Sequence, residues 1–272
     1  MVVFIGIGKE TARVLALRGA HVIMACRNAN RAGQAVNDII NATQNPNVEA
    51  MTLDLNSFDS IRQFATDFTA KGLPLHVLIN NAGIMACPFA LTADGHESQF
   101  GVCHLGHFLL TGLLLPLLKA NAPSRIVVLS SLAHKYGNDK VAHPYTDAAS
   151  YSRYTAYANA KLANLMFARV LAEKLRGTGV TCNAVHPGVI QTELTRSDGC
   201  SQFVFCIGRP FNKNIPQGAA TTVFAASHPN MDGVQGAYLV DCNEEWPSKL
   251  ARNDTIAQEL WDVSEQLTGI QY

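Results

Sequence analysis

Short runs of β-branched and apolar residues recur along the chain, with helix-like segments between them. The runs are HVIMAC (21–26), VEAMTLDL (48–55), LHVLIN (75–80), RIVVLSS (125–131), VTCNAV (180–185) and GAYLVD (236–241). Most are apolar on both faces, as strands are in a parallel sheet covered by helices on both sides. NSFDSIRQFATDF sets Phe58, Ile61, Phe64, Ala65 and Phe68 on one helical stripe, with Asn56 or Ser57 as N-cap. No apolar run reaches the roughly 18 to 20 residues of a membrane span. The richest stretch, Phe108 to Leu118, is short and contains Pro116, which predicts a buried helix. Strand and helix alternating in this way predict an α/β fold with a doubly wound parallel sheet, as one domain over residues 1–272. The segment from about Gln191 to Asn214 breaks the rhythm. It is rich in Gly, Ser, Cys and Phe and predicts a loop or lid over a site.

Composition narrows the classes of function. Apolar residues make up 48% of the 272 and charged residues 15%, ample for a buried core. Lys+Arg and Asp+Glu are 21 each, so no basic footprint for nucleic acid is expected. The seven cysteines (26, 87, 103, 182, 200, 206 and 242) are scattered, with no CxxC or Cys/His cluster of zinc spacing. No metal site is expected, and reduced thiols suit a cytoplasmic protein. No basic n-region precedes an apolar h-region, which predicts no signal peptide.

Ligands of doubly wound sheets bind beyond the carboxyl ends of the strands. Arg27, Asp54, the Asn80-Asn81-Ala82-Gly83 stretch, Ser131 and Pro187-Gly188 all fall at such ends. Singly, each has a plain reading as a solvated charge, a helix cap or a turn. Together they form one ridge along the top of one sheet. Tyr157 and Lys161, in YANAK, add chemistry to it. Four residues make about one helical turn, so both side chains leave the same face. A free tyrosine titrates near about 10. A nearby ammonium favours the phenolate and lowers that value. The phenol then exchanges a proton with an alcohol or carbonyl oxygen near neutral pH. Standing alone, the pair reads more readily as a solvated helix face.

With GIGKETA (6–12), ACRN (25–28), LDL (53–55), NNAG (80–83), HLGHFLLTG (104–112), SS (130–131), YANAK (157–161), HPG (186–188) and QGAATTV (217–223), nearly the whole chain resembles the short-chain dehydrogenase/reductases. Within them it looks most like the retinol dehydrogenases and the catalytic domain of the WW-domain-containing oxidoreductase. No WW domain is present, the only tryptophans being Trp246 and Trp261. The resemblance implies Tyr157 as acid/base and Lys161 as the lysine that lowers its pKa and binds the nicotinamide ribose. Ser131, rather than Ser130, would hold the substrate oxygen. It implies adenine contacts at Asp54 and Leu55, an adenosine ribose lined by Asn81, Ala82 and Gly83, and a carboxamide held by Pro187, Gly188, Ile190 and Thr192. An acidic residue closing the second strand would select NAD. Arg27 stands in that place and favours NADP. The apolar lid residues Phe203, Val204, Phe205, Ile207, Pro210 and Phe211 suit a lipophilic carbonyl or alcohol, or simply pack the lid. Relatives dimerise through the faces of Leu105–Leu118 and of the Tyr157 helix, so a homodimer is expected by resemblance.

Two places depart from the family pattern. Cys103 stands where relatives carry the asparagine whose main-chain carbonyl holds a relay water and whose side chain fixes a helix bend. Cysteine keeps the carbonyl and loses the amide, which predicts a slower enzyme; Cys103 also reads as a small buried residue. The glycine-rich turn Thr-Gly-x-x-x-Gly-x-Gly aligns on Gly6 and Gly8, flanking Ile7, but then sets its threonine on Met1 and its first glycine on Val2. The helix Lys9 to Arg18 would still aim its amino end at a pyrophosphate. The first strand is expected to be missing or truncated, leaving the edges of its neighbours exposed. Membrane association is expected only if a further amino-terminal segment exists. Three readings follow: an NADP(H)-dependent oxidoreductase, a catalytically impaired partner-binding member, and a binder of another nucleotide that leaves Ser131, Tyr157 and Lys161 without a task.

Overall fold

The computed structural model describes residues 6–190 and 213–272. The lid residues Phe203–Phe211, the residue Thr192 and the first five residues lie outside the described ones. Seven strands are described: β1 Val22–Cys26, β2 Val48–Thr52, β3 Val77–Asn80, β4 Ser124–Leu129, β5 Val180–His186, β6 Tyr238–Val240 and β7 Asn243–Glu244. The main helices are α1 Ile7–Leu17, α2 Ala29–Thr43, α3 Phe58–Ala70, α4 Gly106–Ala120, α5 Arg153–Lys174, α6 Ile215–Ser227 and α7 Asp254–Thr268. Side-chain caps start several of them. Asn28 accepts from Arg31 N–H, Ser57 from Ser60 N–H, and Ser152 from Thr155 N–H. Asn214 and Gln217 form a reciprocal capping box on α6.

The strands fall into a two-stranded sheet, β1-β2, and a five-stranded sheet in the order β3-β4-β5-β6-β7. Every pairing is parallel except β6 with β7. Two expected strands, β2 and β6, fall furthest short of their runs. β2 stops at Thr52 because the following backbone is claimed locally: Asp54 N–H donates to Ser60 Oγ at 2.9 Å and Asn56 N–H to Asp54 Oδ1 at 3.0 Å. β6 is bounded by left-handed residues, Gly236 at φ 75° and Asp241 at φ 52°.

The helix around Phe108 runs further than its sequence suggests. A turn at Ser98–Phe100, a π turn at Gly101–Leu105 and α4 are continuous, giving 23 residues whose most apolar 18-residue window has a mean hydropathy of 1.7, long and apolar enough to cross a membrane. Of its most apolar window, 72% is buried inside the protein, which is the state of a core helix. Phe108 packs edge-on against Trp261 of α7 at 5.1 Å between centroids, and Trp261 meets Tyr272 at 4.8 Å. Trp261 is 2% exposed. Trp261→Ala is expected to cost about 3–5 kcal/mol, read as a lowered midpoint in thermal or urea unfolding.

Between β1 and β3 lies an apolar slot of about 440 Å³. Leu15 and Ala226 cover one face of it, and Phe64, Phe68, Leu110 and Leu114 the other.

Candidate active site

The amino half of α5 is buried almost all round, Tyr157 being 8% and Lys161 5% exposed. A solvated helix face is therefore excluded for YANAK. The helix is fastened to the end of β4 at three points. Ser130 Oγ donates to the Lys161 carbonyl at 2.7 Å. Lys161 Nζ and Asn164 Nδ2 both donate to the Leu129 carbonyl, at 3.1 and 2.9 Å. Ser130 is thus committed to holding the helix. The next residue, Ser131, accepts from Ala133 N–H at 3.1 Å and acts on the Tyr157 phenol in the direction that favours its ionised form.

Two histidines outside the expected site hold the Ser131 loop. His134 Nδ1 donates to the Ser131 carbonyl at 2.8 Å while its Nε2 accepts from Ser248 N–H at 3.2 Å. His186, at the end of β5, accepts at Nδ1 from Leu132 N–H at 3.2 Å. Burial, aided by Lys213, pulls the His186 pKa down to about 4, so it stays a neutral acceptor at pH 7. Neither has a motif of its own beyond the HPG stretch that contains His186.

The electrostatics correct one expectation. The phenol of Tyr157 is held above its ordinary range, not below it. Burial is the largest cause, the neighbouring Cys103 thiol adds to it, and only the Ser131 hydrogen bond works the other way. Lys161 Nζ lies 5.7 Å from the ring centroid, and burial lowers its own pKa. Loss of water is the largest influence on both groups.

Cys103 sits in the π turn and is fully buried. Its Sγ accepts from Ile84 N–H at 3.4 Å and donates to the Ile84 carbonyl at 3.5 Å, tying the turn to the loop after β3. The Cys103 carbonyl is taken by His107, whose Nδ1–H donates to it at 3.0 Å. His107 was missed as a site residue although HLGHF carries it. Burial, reinforced by Lys161, drives its pKa to about 3, so it is neutral. An amide at position 103 could meet both Ile84 groups with stronger hydrogen bonds than a thiol makes. Cys103→Asn is expected to raise turnover several-fold in steady-state assays, and no gain in rate would count against that role.

The other expected residues distribute as follows. Asn81, Ala82 and Gly83 follow β3 directly. A Cβ on Gly83 would lie 3.4 Å from Cys103 Sγ and 3.5 Å from Lys161 Nζ, in ordinary contact with both, so this loop runs directly beside them. Pro187, Gly188 and Ile190 follow β5; Gly188 has φ +97°, and a Cβ there would meet the Lys213 side chain at 2.5 Å. Arg27 is exposed at the end of β1. Gly6 caps α1 at φ 77°, with Ile7 and Gly8 in the first turn and no side chain capping its N–H groups, an arrangement suited to phosphate. Leu55 is the exception. Its side chain is core, 4% exposed, and its carbonyl presses on Gly106, where a Cβ would lie 3.0 Å away. Only its backbone is left for an adenine contact. Asp54 receives Asn56 N–H and stays beside it at the loop surface. The glycines, the bare amino end of α1 and the strand-end loops fit a nicotinamide dinucleotide. Among the described residues there is no cluster of metal-ligating side chains and no disulfide, and the described cysteines are free thiols.

Comparison with known proteins agrees with this geometry. The short chain dehydrogenase family profile matches residues 3–201. Retinol dehydrogenase 12 of Mus musculus is 48% identical over 267 residues, covering 98% of this chain and 84% of that protein. The WW domain-containing oxidoreductase of Danio rerio is 44% identical, covering 96% of this chain and 66% of that protein. A crystal structure of an uncharacterized protein from Mycobacterium Paratuberculosis superposes with a TM-score of 0.78 at 36% identity, over 100% of this chain and 93% of that one. The chain belongs to the short-chain dehydrogenase/reductase family and is an alcohol/carbonyl oxidoreductase of the NAD(P)-using type.

Proposed function

We propose that this enzyme interconverts a lipophilic alcohol and its carbonyl with NADP(H), Tyr157 serving as the acid/base. The observation that carries the reading is a buried phenol with Ser131 beside it favouring its ionised form, and with Lys161 one turn further along the same helix. Ser131 and Tyr157 would bracket one substrate oxygen. Tyr157 would give it a proton in reduction and take one in oxidation. Lys161 would keep positive charge beside the phenol. When bound, the nicotinamide supplies or accepts the hydride. Lys161, Asn81, Ala82, Gly83, Pro187, Gly188 and Ile190 would hold the cofactor, with the amino end of α1 toward its pyrophosphate.

Two observations support the finer parts of the reading. Leu132 and Val189, next to Ser131 and Gly188, are 40% and 44% exposed, an apolar rim suited to a lipophilic substrate. Arg27 is the cation at the end of β1, where an adenosine 2′-phosphate would bind. The test is to add NADPH or NADH to purified protein and follow the melting temperature, then to follow NADPH consumption with retinal. NADPH is expected to raise the midpoint more than NADH does. Arg27→Ala is expected to weaken NADPH binding about 10- to 100-fold and leave NADH binding little changed, as for a lost hydrogen bond to a charged group. No response to either cofactor would sink the proposal.

A further inference from the structure

We propose that His134 and His186 are positioning residues for the reaction. Two buried imidazoles clamp the peptide between Ser131 and Leu132 and so aim the Ser131 hydroxyl, an inference that rests on Ser131 holding the substrate oxygen. The carbonyl of that peptide receives two bonds from His134, one from its N–H at 3.1 Å and one from Nδ1 at 2.8 Å. A carbonyl oxygen has two lone pairs, so both are taken. The N–H of the same peptide, that of Leu132, donates to His186 Nδ1 at 3.2 Å. The strand just before is held as well, Ser130 N–H donating to the Val185 carbonyl at 2.9 Å. With the chain fixed on both sides of Ser131, its Cα–Cβ bond has one direction. Rotation about χ1 remains, and Ala133 N–H selects its setting by donating to Oγ at 3.1 Å. The hydroxyl proton is then left to be given outward.

The two rings need opposite tautomers. His134 donates at Nδ1 and accepts at Nε2 from Ser248 N–H at 3.2 Å, whereas His186 accepts at Nδ1. Burial holds both below the ordinary histidine range, so each keeps the lone pair it needs at neutral pH. Each ring is anchored by a neighbouring element. His186 is the last residue of β5. His134 stands edge-on against Tyr238 of β6 at 5.2 Å between centroids, and Ser248 binds it to the segment leading into α7. No residue of α5 takes part in these bonds. The helix is bonded to the turn further on, where Asn138 N–H donates to Asn159 Oδ1 at 2.9 Å. Ser131 is thus aimed from the sheet and Tyr157 from the helix. They meet at one oxygen only while both supports keep their geometry, and a displacement of about 1 Å can cost on the order of 10²-fold in rate.

Asparagine and glutamine separate the two ring nitrogens. The amide of asparagine stands where Nδ1 does and that of glutamine where Nε2 does, while both lose the ring. His134→Asn keeps the bond to the Ser131 carbonyl and gives up Ser248; His134→Gln does the reverse. His186→Asn keeps an acceptor for Leu132 N–H, and His186→Gln loses it. In NADPH-driven reduction of retinal, kcat is expected to be at least about tenfold higher for the asparagine member of each pair than for the glutamine member. All four variants are expected to melt below the parent and to keep the NADPH-induced rise in melting temperature. Equal rates within a pair, or the reverse order, would overturn the role of that histidine. A glutamine variant that loses the NADPH response together with its rate would overturn it too, since the residue would then support the fold or the cofactor rather than Ser131. If one pair does not fold, the other decides. Ser131→Ala at the parent's rate would instead remove the reading of Ser131 itself, and the clamp with it.

Discussion

Tyr157→Phe is expected to lower kcat for NADPH-driven reduction of retinal by about 10²- to 10⁴-fold, the usual span of general acid/base catalysis. The substitution removes one oxygen from a side chain that is 8% exposed and leaves the ring in place. The fold and the NADPH-induced rise in melting temperature should therefore stay as in the parent. Steady-state rates and melting curves together check this. A variant that keeps more than a tenth of the parent's rate would remove Tyr157 from the chemistry. The electrostatics add a direction. Burial holds the phenol above its ordinary range, so at pH 7 it keeps its proton. The protonated phenol is the form that donates to a carbonyl oxygen. Oxidation of the alcohol needs the opposite form. Its rate should therefore climb as pH rises above neutrality, whereas reduction should slow once the phenol begins to ionise.

The parts of the fold and site that the sequence disclosed are those encoded locally. β1 and β5 begin within a residue of the start of their apolar runs, because β-branched stretches buried on both faces carry their own signature. Ser57 caps α3 as its side chain chemistry predicts. The features that escaped depend on distant partners. The π turn at Gly101–Leu105 owes its anchoring to the Cys103 thiol meeting Ile84, nineteen residues away in sequence. The end of β2 is set by Ser60 reaching back to Asp54. Leu55 sits in a recognisable LDL motif, yet its side chain points into the core because Gly106 lets α4 come close. The rise of the Tyr157 pKa was hidden for the same reason. The spacing of YANAK fixes which groups are neighbours, but the helices and strands stacked around them fix how much water they lose.

That loss of water makes Lys161 the residue where stability and function should separate most. Lys161→Met is expected to reduce activity by about 10²-fold or more and to remove the NADPH-induced rise in melting temperature, if this ammonium has its proposed role of binding ribose and holding charge beside Tyr157. The same change is expected to stabilise the protein without cofactor by about 0.5–2 kcal/mol. For a chain of this size each kcal/mol corresponds to about 2–4 °C in Tm. The reason lies in the sign of the linkage. Burial lowers the pKa of Lys161 in the folded state, with only Cys103 acting to raise it. Between that lowered value and the ordinary lysine value the unfolded chain binds more protons than the folded one. Stability then rises with pH through this window, and below it the cost of the buried charge is felt in full. Methionine carries no charge, so the variant should lose this rise while gaining stability at pH 7. Urea titrations of both proteins at pH 7 and pH 10 measure it. A variant less stable than the parent at pH 7, or one with the same gain in stability between the two pH values, would show that the ammonium is better solvated than its 5% exposure implies.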